Sequence, residues 1–74
     1  MRVTVLGLGL TGESVVRHCV ARGDSVTILE DNSNDKSDFN TRVNTVTQLG
    51  ATLEIAPADS RMRTVVENSD LVVP

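Results

Sequence analysis

Short β-branched apolar runs alternate along the chain with longer stretches in which apolar residues recur every three or four positions. Val3-Thr4-Val5-Leu6 is a strand pattern, and its mostly apolar character suits a central parallel strand covered on both faces. From Thr11 to Arg22 the period lengthens. Val15, Val16, Cys19 and Val20 form one helical stripe, Glu13, Arg17 and Arg22 lie off it, and Gly23 is a natural stop. Ser25-Val26-Thr27-Ile28-Leu29 predicts a second strand, which runs into the polar turn-formers from Glu30 to Asn34. Phe39, Val43, Val46 and Leu49 return to helical spacing, closed by Gly50. Residues Ala51 to Ile55 predict a third strand ended by Pro57. Asp59 to Asn68 predicts a short helix with Met62, Val65 and Val66 facing inward, and Asp70 to Val73 begins a fourth strand. The order β-α-β-α-β-α-β implies an α/β domain with a parallel sheet, flanking helices and right-handed crossovers.

Composition narrows this picture. The 74 residues allow one small domain. A chain of this size buries only about 60% of its unfolded surface, so its stability is expected to be marginal. With Phe39 the sole aromatic, the core must come from Val, Leu and Ile. Cys19, the single cysteine, excludes an internal disulfide and reads as a small core residue. His18 lies beside the apolar stripe, with no second histidine to make a metal site, and reads as a surface or boundary residue; no metal ligand is assigned. The net charge of −3 argues against nucleic acid as a partner. Asp35, Lys36 and Asp38 read as a solvated loop. No signal peptide or membrane-spanning run is visible, which predicts a cytoplasmic protein with no membrane partner.

The most informative stretch joins the first strand to the first helix. Gly7-Leu8-Gly9-Leu10-Thr11-Gly12 has the spacing G-x-G-x-x-G in the strand-to-helix context that gives this pattern its meaning. Gly7 permits the sharp turn out of the strand. Gly9 lets the backbone approach a phosphate, and Gly12 lets the helix pack closely on the strand. The amides at the helix start and the helix dipole favour an anion there. Thr11 is read either as the helix cap or as a hydroxyl donor to phosphate.

A second signal lies 18 and 19 residues beyond Gly12, where Glu30 and Asp31 close the second strand. In a Rossmann-like sheet this position meets the sugar or base of a bound nucleotide. A carboxylate there accepts hydrogen bonds from ribose hydroxyls or from a ring N–H, and it repels a 2′-phosphate. The residues by themselves leave UDP-sugar, NAD and FAD open.

The run from Val5 to Ser14, followed by Ala21-Arg22-Gly23, resembles the N-terminus of the Mur ligases of peptidoglycan synthesis, in the branch that adds D-glutamate to UDP-N-acetylmuramoyl-L-alanine. Ser69-Asp70-Leu71-Val72-Val73-Pro74 is similar to the strand that leads into that family's Ser-Pro-Gly turn. The resemblance spans the chain in layout and is sharp over the glycine string. It implies a Rossmann-like first domain over residues 1–74 that binds the UDP part of the substrate. Leu10 and Thr11 would then serve the diphosphate, and Glu30, with Asp31 and Asn32 beside it, would face the uracil. The family commonly has aspartate at the acidic position and can have a basic residue soon after, where this chain has Glu30 and Asn32. In the family, ATP phosphorylates the substrate carboxylate, magnesium offsets phosphate charge, and D-glutamate attacks the acyl phosphate. Those sites lie in a central and a C-terminal domain. No G-x-x-x-x-G-K-[ST] motif occurs in this chain, so no catalytic residue or cofactor is assigned to it and it is expected to be inert alone. Because a doubly wound domain usually continues past its fourth strand, the sequence reads as a truncated one. Two other readings rest on the same glycines: the NAD- or FAD-binding start of an oxidoreductase, and a nucleotide-sensing regulatory module.

Overall fold

The computed structural model describes residues 1–8, 10–30 and 37–74, with backbone only at 10, 11 and 37–39. The seven elements follow the predicted order: β1 (Arg2–Leu6), α1 (Leu10–Ala21), β2 (Ser25–Glu30), α2 (Ser37–Gln48), β3 (Thr52–Ile55), α3 (Asp59–Glu67) and β4 (Leu71–Val73). The four strands form one parallel sheet in the order β3-β2-β1-β4. This is an α/β, Rossmann-like arrangement. β1 is followed by β2 on one side and bordered by β4, the last strand, on the other, so the connectivity reverses direction at β1. The glycine loop emerges from that strand, at the point where such sheets open a crevice.

Strand register sorts the side chains by face, because neighbours in register point the same way and successive residues alternate. Val3 and Val5 of β1 align with Val26 and Ile28 of β2. Leu53 and Ile55 continue that row in β3, and Leu71 and Val73 in β4. Every one of these is apolar. Val16 and Cys19 of α1 and Val46 of α2 close over this face, joined by Leu8 and Ala51. Val3, Val5, Val16, Ile28 and Val46 are essentially excluded from solvent. Cys19 is buried in this core and His18 is exposed, as their positions in the sequence pattern predict.

The opposite face carries Arg2, Thr4 and Leu6 of β1, Ser25, Thr27 and Leu29 of β2, Thr52 and Glu54 of β3, and Val72 of β4. α3 lies over this side and holds no buried residue. Met62 and Val65 are half-buried, whereas Val66, predicted to face inward, is exposed. α3 turns Met62 and Val65 toward this mixed face and leaves Val66 to solvent. Two polar contacts fix α3 and its exit: the Thr4 and Ser69 hydroxyls bond to each other, and Arg61 holds Glu54 through its Nε and Nη2, at 2.9 and 2.8 Å. Between α3 and the starts of β1 and β2 a cleft of about 290 Å³ remains, lined by Arg2, Thr4, Thr27, Arg61, Thr64 and Asn68.

Among the described residues, no helix is long and apolar enough to cross a membrane.

Candidate functional site

The site predicted from sequence lies at the C-terminal end of the sheet, and its described parts come together there. β1 ends at Leu6, and Gly7 takes a φ of +95°, a left-handed conformation that side chains resist. Its amide donates to the Leu29 carbonyl at 2.8 Å, so the turn leaves β1 with one more rung tied to β2. Leu8 then folds inward and is 4% exposed, which anchors the loop in the apolar core.

α1 begins at Leu10, so Thr11 stands inside the first turn of the helix and not at the cap position, one of its two predicted roles. Gly12 sits where α1 passes closest to the turn. A Cβ on it would lie 2.6 Å from the Gly7 carbonyl oxygen and 3.6 Å from Val5 Cγ1. The first distance is shorter than any packing contact tolerates, so this position is closed to every other residue unless the loop moves. Gly7 and Gly12 thus show the two geometric roles the sequence assigns them: the turn and the close helix approach. Gly9 lies outside the described residues.

Glu30 is the last residue of β2. By register it belongs to the apolar face, in line with Val26 and Ile28, and it is half-buried. Its carboxylate Oε2 accepts the Leu8 amide at 2.6 Å, and its backbone carbonyl accepts the Ala56 amide at 2.6 Å. Glu30 therefore ties the glycine loop to the ends of β2 and β3. Asp31 and Asn32, the neighbours predicted to share the base or sugar contact, lie outside the described residues.

Three features of the site were not read from the sequence. Leu8, an unassigned position in the glycine pattern, is the loop's core anchor; its apolar character was the available signal. Ala56 adopts a φ of +48°, a conformation that costs a non-glycine residue about 1 kcal/mol or more. Nothing in its type announces this, and the residue before a proline is normally extended. Glu13, in the first turn of α1, pairs with Arg17 at 3.1 Å and with Arg42 of α2 at 3.7 Å. The first pair is visible as an i, i+4 spacing; the second depends on how α2 packs against α1. A carboxylate at a helix N-terminus is favourable in itself, and the arginines offset the negative charge it would present to an anion nearby.

Among the described residues, no group of three histidine, cysteine, aspartate or glutamate side chains is placed to hold a metal ion. Among the described residues the arrangement offers backbone amides at a helix start, a close helix-to-turn contact that only glycine permits, and a carboxylate at the adjoining strand end. It is suited to hold an anionic ligand that also carries hydrogen-bond donors.

No protein-family profile matches the sequence. The chain is 35% identical over 72 residues to the UDP-N-acetylmuramoylalanine–D-glutamate ligase of Desulfatibacillum aliphaticivorans. That similarity takes in 97% of this chain and 15% of the length of the relative.

Proposed function

We propose that this chain is the nucleotide-binding domain of a Mur-type ligase, and that it receives the UDP end of UDP-N-acetylmuramoyl-L-alanine. The observation that carries this reading is the similarity to a ligase named for that reaction, which runs almost the whole length of the chain. The geometry of the glycine loop supports it. In this reading the diphosphate rests against the loop formed by Gly7, Gly9, Leu10, Thr11 and Gly12, with its charge met by amides at the start of α1. Asp31 and Asn32, which follow Glu30 at the end of β2, form the side of the site that meets the uridine. The parallel order of the strands, with β1 and β2 side by side, supports this reading.

Residues 1–74 then hold and orient substrate. Joining D-glutamate to the alanyl carboxylate, with ATP as phosphoryl donor and magnesium offsetting its charge, belongs to parts of the ligase that this sequence does not contain. The whole enzyme would be an ATP-dependent, peptide-bond-forming ligase of cell-wall synthesis, acting in the cytoplasm, and this chain alone would not catalyse.

The test is a titration of the 15N-labelled chain with UDP-N-acetylmuramoyl-L-alanine and, separately, with NAD. Shifts at Gly7, Gly12 and Glu30 with the UDP compound alone are expected. The same shifts with NAD alone would overturn the ligase reading in favour of a dinucleotide-binding domain of an oxidoreductase.

A further inference from the structure

We infer that Glu30 is a positioning residue, whose carboxylate sets the glycine loop in its ligand-receiving shape by holding the Leu8 amide. The inference rests on the reading of that loop as a phosphate site and names what holds the site in form.

The Leu8 amide reaches Glu30 Oε2 at 2.6 Å, a short N–H···O bond. Leu8 is thereby fixed from two directions. Its side chain is locked in the core at 4% exposure, and its N–H is locked to the end of β2. The preceding amide, that of Gly7, is given to the Leu29 carbonyl. The first two amides after β1 are thus both committed to β2, one to a backbone oxygen and one to a side chain. A phosphate approaching the loop meets donors only from the residues that follow. Glu30 itself is held in place, because its residue pairs in register with Ile55 and its carbonyl takes the Ala56 amide.

Side-chain length is part of this assignment. Aspartate is shorter by one carbon–carbon bond, about 1.5 Å, and falls short of Leu8 from the same strand position. Glutamine keeps the length and an acceptor oxygen while losing the charge. The two conservative variants therefore separate two roles. A carboxylate that bonds the nucleotide directly through its charge is replaced better by aspartate. A carboxylate that sets the loop is replaced better by glutamine.

The experiment compares the wild-type chain with Glu30→Gln, Glu30→Asp and Glu30→Ala by amide NMR, with sheet amides as the check on folding. Two quantities are read: solvent exchange of the Leu8 amide without ligand, and the affinities for inorganic pyrophosphate and for UDP. Glu30→Asp and Glu30→Ala are expected to speed Leu8 exchange by about tenfold or more and to weaken pyrophosphate and UDP by a similar factor, the size expected for one hydrogen bond to a charged group. Glu30→Gln should fall between wild type and these two variants in both, since the bond persists in weaker, neutral form. The opposite order, with aspartate retained and glutamine lost, overturns the proposal. So does a loss of UDP affinity with Leu8 exchange and pyrophosphate affinity unchanged. A wild-type chain whose loop amides respond to neither ligand overturns the phosphate-site reading and this proposal together.

Discussion

The two faces of the sheet share four strands and differ in nearly every side chain. On the face covered by α1 and α2, β1 and β2 contribute valine and isoleucine in register, and the helices answer with valine and cysteine. On the face covered by α3, the same strands contribute Arg2, Thr4, Ser25 and Thr27 beside Leu6 and Leu29, and the helix answers with no buried residue. Burial of apolar area stabilises by roughly 25 cal/mol per Å², whereas a hydroxyl pair or a surface ion pair adds about 1 kcal/mol or less. The first face is therefore where most of the stability resides. The candidate site is built on that half. Leu8 is a member of the apolar core, Gly12 is in α1, and Glu30 continues the row of Val26 and Ile28. The proposed anion-holding loop thus stands on the apolar, buried half of the molecule.

The largest effect that tests this contrast is the loss of Ile28, which is fully buried. Ile28→Ala should cost about 2–5 kcal/mol, enough to unfold most molecules of a domain this small. Its neighbour on the other face, Thr27, is half-buried, and Thr27→Ala should change stability by about 0.5 kcal/mol or less. Urea denaturation of the two variants measures both. Equal losses would mean that the α3 face carries as much of the fold as the α1 face, against the comparison drawn above.

Next in size is Gly12→Ala. The added methyl meets the Gly7 carbonyl oxygen at 2.6 Å, a backbone atom that cannot swing aside. Alanine favours a helix interior over glycine by about 1 kcal/mol, and overpacking costs about 1–3 kcal/mol, so a net loss of up to about 2 kcal/mol is expected, with amide shifts concentrated at Gly7 and Leu8. A stabilised variant with an unmoved loop would show that α1 can retreat from the strand freely.

Element order was legible in the sequence because the two periods, two and 3.6, are separate signals and glycine or proline marks the junctions at Gly7, Gly23, Gly50 and Pro57. Gly7 and Gly12 were legible for the same reason: their residue type is dictated by backbone geometry, which acts locally. The division of the sheet into two faces was harder to see. Thr4 within Val3-Thr4-Val5-Leu6 looked like an interruption of an apolar run, although it is one member of a polar row that exists only when β1, β2 and β3 are aligned. Val66 was misplaced because the α3 face is mixed, and Met62 and Val65 are the helix residues turned toward it. The bond from Leu8 to Glu30 spans 22 residues and depends on the β1–β2 register, which no local pattern specifies.

Smaller still is the effect of Thr4→Val. Thr4 is 1% exposed and its hydroxyl meets that of Ser69, which itself donates to the Val65 carbonyl at 2.7 Å. Valine preserves the shape and removes one donor, while Ser69 keeps its own acceptor. A loss of about 0.5–1.5 kcal/mol is expected, read by urea denaturation, with local shifts at Ser69 and little change at Gly7. A loss as large as that of Ile28→Ala would make the polar row a second structural core.

The smallest effect belongs to the ion pair that tethers α3. The Arg61 guanidinium, bonded to both Glu54 oxygens, holds the Glu54 carboxyl below its ordinary value. A carboxyl whose affinity for protons is lower in the folded state contributes stability that is fully present above its unfolded pKa. That contribution is lost as the pH falls from about 4 through the folded value. Both partners are reached by solvent, so the contribution is small and screened by salt. Glu54→Gln should leave the stability of the chain nearly unchanged at neutral pH and flatten its decline in acid slightly. The same substitution should leave the Gly7 and Leu8 amides where they are, since the tether lies on the other face of the sheet. Movement of those amides on loss of Glu54 would show that α3 is mechanically joined to the glycine loop, and the two faces would then have to be treated as one unit.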